Sequence, residues 1–185
     1  MSAPVDALEE PAFDLIDEVD GLEIRRYRAH VVARTLVKES LQKSGNEGFK
    51  RLGGYIFGGN DKEQRIAMTA PVAMEPNQDA NREWWVTFSM PRQHMKDNLP
   101  GPNDPRVEII ELQERILAVL RYKGNWSEKR FRKHESALLS LIDQSSTWSK
   151  KGQTIWSRYN SPIVPGFLRT NEVAIEVVPA SVPGR

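Results

Sequence analysis

The sequence predicts an α+β fold: a curved, mostly antiparallel sheet with two helices packed across it, built from two similar halves. Three observations carry this. Each half shows the same order of patterns, two strands, a helix, two strands. The third strand of each half ends in a matching fragment, "MTAPV" in the first and "YNSPI" in the second. Between the halves lies "PRQHMKDNLPGPNDP", whose prolines mark a long connection.

The elements follow in order. Residues 1–12 are acidic and aperiodic and read as a flexible lead-in; residues 180–185 read as a tail. In "AFDLIDEVDGLEIRRY" the pair Asp20–Gly21 separates two short alternating runs, a hairpin signal. "HVVARTLVKES" is rich in β-branched residues and continues as a strand. The period then changes: Leu41, Gly48, Phe49, Leu52, Tyr55 and Ile56 share one face at helical spacing, and Gly58–Gly59 end the helix. "RIAMTAPVAME" alternates from Ile66 to Met74 despite Pro71, which predicts a strand with an end or a bulge at the proline. "EWWVTFSM" places Trp84, Val86, Phe88 and Met90 on one side. "RVEIIEL" and "RILAVLRYKG" restart the order as strands. "SEKRFRKHESALLSLIDQSS" is a helix capped by Ser127, with Trp126 and Phe131 at the positions of a hydrophobic staple. "TIWSRYNSPIVPG" and "NEVAIEVV" close the chain as strands. One domain over 13–179 is expected, with internal repeats at about 13–90 and 106–178.

Composition excludes several functions. With 26 basic against 25 acidic residues and no long basic block, nothing favours nucleic acid. The chain has no cysteine, which removes disulfides, thiolate metal sites and a cysteine nucleophile. It has no apolar run of membrane-spanning length and no secretory leader pattern; a cytoplasmic monomer is the expectation, and a periplasmic or secreted chain whose signal peptide had been removed would look the same. His30, His94 and His134 lie far apart and match no zinc spacing, and no serine elbow or phosphate-cradling glycine loop follows a strand. His134, on the inner face of its helix, reads as a histidine at the edge of the core. A binding protein is therefore favoured over an enzyme. Five tryptophans and five methionines suit the lining of a flat apolar ligand, and equally suit an ordinary core.

At "GFKRLGGYIFGGNDKEQRIAMTAPVAME" the chain resembles the SOUL, or haem-binding-protein, family. The resemblance rests on Tyr55, Ile56, Gly58, Asn60, Met68, Thr69, Pro71 and Val72, with further matches at "LEIRRY", "LPGPNDPRV", "YKGNWSE" and "RYNSPIVPGFLRTNEVAIEV". It implies a distorted antiparallel β-barrel or curved sheet made of two βαββ-like repeats. It also implies a non-enzymatic protein that binds haem or another tetrapyrrole in a shallow apolar cleft beside the first helix. On this chain the implied wall is Phe49, Leu52, Gly53 and Ile56, with Ile163 and Val164 from the loop after "YNSP", and Lys50, Arg51 and Arg169 are the implied partners of the propionates. Departures from the family pattern stand at Arg26, where some members carry a histidine proposed as axial ligand, at Val164, where others are basic, and at Gly53, where others are larger. They predict a weak site with little or no iron ligation. Two other readings are a module for another apolar or cationic aromatic molecule, as in effector-binding domains, and a protein-interaction module.

Overall fold

The computed structural model describes residues 8–77 and 82–180. Most of the lead-in expected at the N-terminus (residues 1–7) and nearly all of the expected tail (181–185) lie outside the described residues. The described residues form nine strands and two α-helices in the order β1 Phe13–Val19, β2 Leu22–Tyr27, β3 His30–Lys38, α1 Leu41–Ile56, β4 Val72–Pro76, β5 Glu83–Ser89, β6 Val107–Leu112, β7 Arg115–Lys123, α2 Glu128–Asp143, β8 Trp148–Arg158 and β9 Thr170–Pro179.

All nine strands join one antiparallel sheet in the order β1-β2-β7-β9-β8-β4-β5-β3-β6. Its end strands do not pair with each other, so the sheet is curved and open. Read outward from the central pair β4 and β8, the order is the same in both directions: β5, β3, β6 on one side and β9, β7, β2 on the other. The two βαββ units, β3-α1-β4-β5 and β7-α2-β8-β9, thus stand about a pseudo-twofold axis. The strand that precedes each unit is exchanged, β2 pairing with β7 and β6 with β3.

Local chemistry explains the elements. Asp20 and Gly21 both have positive φ, 52° and 77°, which matches the twist of the β1–β2 hairpin. Ser127 caps α2 by accepting a hydrogen bond from the Arg130 N–H; Phe131 then stacks on Trp156, centroids 5.2 Å apart. At the end of α1, the Gly59 N–H donates to the Gly54 carbonyl, and a Cβ on Gly59 would lie 2.6 Å from that oxygen, so only glycine fits the turn. The core lies between the sheet and the helices, where Val37, Val86, Met74, Trp156 and Val173 meet Leu52, Ile56, Phe131 and Leu138.

Three expectations are corrected. The ladder of the "RIAMTAPVAME" segment begins only at Val72, after the cis Ala70–Pro71 bond; Ile66 and Met68 lie outside it, and the Ile66 N–H donates to the Ile56 carbonyl instead. Proline has no N–H for the ladder, so the strand opens behind it. The two proline fragments are also not equivalent, because Pro71 precedes β4 whereas Pro162 follows the end of β8 at Arg158. Since β4 and β8 are antiparallel and Val72 stands opposite Arg158, the two fragments lie side by side at one end of the central strand pair. β8 also starts earlier than its apolar pattern suggests, at Trp148, with an irregularity between Lys151 and Thr154 where Gly152 has φ 77°.

Candidate functional site

The two proline fragments form the walls of a cleft of about 330 Å³ against the N-terminal half of α1. Gly45, Asn46 and Phe49 come from the helix, Met68, Thr69, Ala70 and Val72 from the first fragment, and Asn160, Ser161 and Pro162 from the second, with Trp126 and Arg158 at the base. Phe49 is held edge-on to Phe88, centroids 5.5 Å apart, and keeps 38% of its surface exposed. Gly45 sets the depth of the cleft, because a Cβ there would lie 2.7 Å from Arg158 Nη1 and 2.9 Å from Met74 Sδ. Glycine at this position lets the helix backbone come down onto the guanidinium.

Arg158 follows Trp156 on the same side of β8, so strand alternation turns it toward the helices. It is only 6% exposed. Its guanidinium lies over Trp156 at 4.2 Å and over Trp126 at 5.1 Å. Burial holds its pKa down to about 10, with the nearby charge of Arg169 acting in the same direction. Arg158 Nε and Nη2 and the Trp126 indole N–H are buried without acceptors.

The residues implied by the family resemblance are dispersed. Phe49 lines the cleft. Leu52 and Ile56 share the helix stripe of Gly45 and Phe49 but are 0% and 1% exposed in the core. The reason is height along the axis, since residues 45 and 52 are separated by about 10 Å of helix. The C-terminal half of the stripe is roofed by the returning chain, with Ile66 bonded to the Ile56 carbonyl and the Tyr55 hydroxyl donating to the Pro100 carbonyl at 2.9 Å. Gly53 is buried beside the Phe57 ring. Lys50 and Arg51 line a different groove on the far side of α1, where Arg51 donates to the Leu36 carbonyl and to Glu47. Ile163 is 91% exposed, and Val164 is half-buried outside the lining. Arg169 stacks on Trp126 at 4.2 Å and donates to the carbonyls of Val164 and Pro162, so it fixes the loop that forms one wall. Arg26 is half-exposed on β2, 4.0 Å from Glu114. His134 stacks on Tyr122 at 3.9 Å, and none of the three histidines lines the cleft.

The opposite face of the sheet carries a second polar centre. Glu172, buried on β9, accepts from Arg25 at 3.0 Å, Arg121 at 2.8 Å and the Tyr159 hydroxyl at 2.6 Å. Burial first, and the Glu172 carboxylate with it, pushes the Tyr159 phenol far above its ordinary pKa. Arg25 is also bonded to Glu23, whose carboxyl it holds below the usual range. The carboxylate is fully partnered.

An open antiparallel sheet carrying two helices on one face and an apolar cleft at its central strand pair defines the class of protein. Residues 8–176 match the family model described as SOUL heme-binding protein, and the chain belongs to that family. It is 30% identical over 176 residues to heme-binding protein 2 of Homo sapiens, covering 92% of this chain and 81% of the relative. It is 29% identical over 177 residues to heme-binding protein 2 of Mus musculus, covering 90% and 85%. In fold it is similar to the EcmrR C-terminal domain, TM-score 0.64 at 9% identity, covering 85% of this chain and 96% of that one. Among the described residues no helix is long and apolar enough to cross a membrane.

Proposed function

We propose that the chain is a non-enzymatic carrier of haem or a related tetrapyrrole, held in the cleft between α1 and the two proline fragments without histidine ligation. The observation that carries this reading is the combination at one place of an apolar lining, Phe49, Met68, Val72 and Trp126, with a buried guanidinium at the base. Haem supplies a flat apolar ring, carboxylate side chains and an iron. The lining residues fit the first two of these. For the iron, the soft donor in the lining is the Met68 thioether.

The volume lies at the lower end of the range for ligand pockets, about 300–1,000 Å³, so a macrocycle enters edge-first and keeps one edge in solvent. The names of the two heme-binding protein 2 relatives support the same ligand class. A cationic aromatic ligand is less well supported, because the buried carboxylate it would need, Glu172, already has two arginines and a tyrosine around it.

The test is a haemin titration followed at the Soret band, with iron-free protoporphyrin as control and Phe49→Asp as the variant. Phe49 is partly exposed, so this variant folds, whereas a charge at Ile56 would break the core. A shifted, sharpened band for the parent and an affinity roughly 10-fold or more lower for the variant are expected. Titrations that do not distinguish the parent from Phe49→Asp refute the reading.

A further inference from the structure

We propose that the base of the cleft is a carboxylate-binding site built on Arg158, so that the ligand enters acid end first. This rests on the reading of the cleft as a ligand site and adds a recognition element that sequence comparison does not assign.

Among the described residues two arginines are buried, and they differ. Arg25, 1% exposed, has Glu23, Glu172 and the Tyr27 hydroxyl around it. Arg158, 6% exposed, forms no ion pair among the described residues, and its Nε and Nη2 meet no acceptor. A buried cation without a partner opposes folding, so its place in the core calls for a reason other than stability.

The geometry supplies one. The guanidinium carbon lies over the Trp156 ring at 4.2 Å and over the Trp126 ring at 5.1 Å, so two aromatic faces hold the cation in place. The N–H donors of a guanidinium lie in its plane, and Nε and Nη2 are left without acceptors, so the two oxygens of a carboxylate that reaches the base of the cleft would satisfy them. The Trp126 indole N–H is likewise buried without an acceptor. Among the described residues Arg158 is the one charged residue of the lining, which favours an anion over a cation. The rest of the lining is largely apolar, and its polar residues, Asn46, Thr69, Tyr159, Asn160 and Ser161, carry no carboxylate. The ligand class is therefore an apolar body ending in a carboxylate, with the acid at the bottom and the body against Phe49 and Val72. Gly45 belongs to the same device, since any side chain there would strike Arg158 Nη1.

The experiment compares free acids with their esters. Protoporphyrin IX and its dimethyl ester, and 1-pyrenebutyrate and its methyl ester, are titrated by fluorescence into the parent protein, Arg158→Met and Arg158→Gln, and the ligand-free unfolding midpoints of all three proteins are measured. The parent is expected to bind each acid roughly 10- to 100-fold more tightly than its ester, and both variants to lose that preference while unfolding at or above the parent midpoint. Equal affinity of the parent for acid and ester overturns the role of Arg158 and leaves the apolar cleft standing. Preference for pyrenebutyrate with no porphyrin binding removes the tetrapyrrole reading and keeps the carboxylate site. No binding of either acid removes both. A lowered midpoint in both ligand-free variants assigns the guanidinium to holding the core together and overturns the proposal.

Discussion

Replacing Gly48 by alanine measures how closely α1 is pressed onto the sheet. In an unstrained helix this change is favourable by about 1 kcal/mol, because alanine restricts the unfolded chain and suits the helix. At Gly48 the new Cβ would lie 2.4 Å from both Cβ and Cγ2 of Val86 and 2.7 Å from its Cγ1. Carbon atoms pack at about 3.5–4.0 Å, so the axis would have to rise by roughly 1 Å. Every rotamer of Val86 keeps carbon in the way, and Val86 is 0% exposed in the middle of β5, with no space to withdraw. Overpacking of this kind costs about 1–3 kcal/mol. The upper part of that range less the helix gain leaves a net destabilisation of about 2 kcal/mol, or a midpoint lower by about 4–8 °C for a chain of this length. Gly54, exposed on the same helix with nothing within 4 Å of a Cβ, is the control, and alanine there raises the midpoint by about 2–4 °C. Thermal and urea unfolding of both variants read the difference. Gly48→Ala unfolding at or above the parent temperature would show that α1 does not rest on Val86 and refute the reasoning.

Asn60, buried at the exit of α1, donates to the carbonyls of Tyr55 and Gln64 and accepts from the N–H groups of Lys62 and Gln64. Asn60→Ala strands these groups and is expected to cost about 3 kcal/mol in urea unfolding with an unchanged m-value; a loss below about 1 kcal/mol contradicts the network. Glu172→Gln leaves buried Arg25 with Glu23 as its one remaining carboxylate and is expected to cost about 3 kcal/mol. Arg121→Ala, at a side chain 45% exposed, costs far less, and equal losses for the two variants contradict the assignment. For His30, burial holds the pKa below the ordinary 6.5, so the unfolded chain takes up the proton more readily. Its contribution is complete above that value and is lost as pH falls through it. Glu10 and Glu75, raised by burial, act in the opposite sense, so the measure is the difference between the parent and His30→Gln, which moves against the parent from pH 7.5 to 5.5 in unfolding experiments.

The parts of the fold that could be read from the sequence are those set by local chemistry. Asp20–Gly21 announces a turn with positive φ, Ser127 announces a helix start, and Trp84 to Met90 announce a half-buried strand. The start of β8 was hidden because Trp148–Lys151 carries two lysines and a serine with no apolar alternation. Leu52 and Ile56 lie beneath the returning chain for a reason that the sequence does not carry: periodicity gives the angle of a residue around a helix and says nothing about what covers each level along it. Arg158 was hidden although its phase was readable, since Trp156 and Arg158 fall on one side of β8. What marks it as a binding group is the lack of a neighbouring acid, and that is a property of the folded neighbourhood.

The exchange of β2 and β6 has a consequence for biosynthesis. Residues 22–27 find their partner only at 115–123, and β7 in turn needs β9, whose last residue is Pro179. A nascent chain that has emerged only as far as β5 holds α1 and β3 to β5 but neither completed flank, so one side of the sheet closes only once β9 has been made. Pairings this distant slow folding. The two repeats therefore assemble together, and an isolated repeat has nothing with which to finish its sheet.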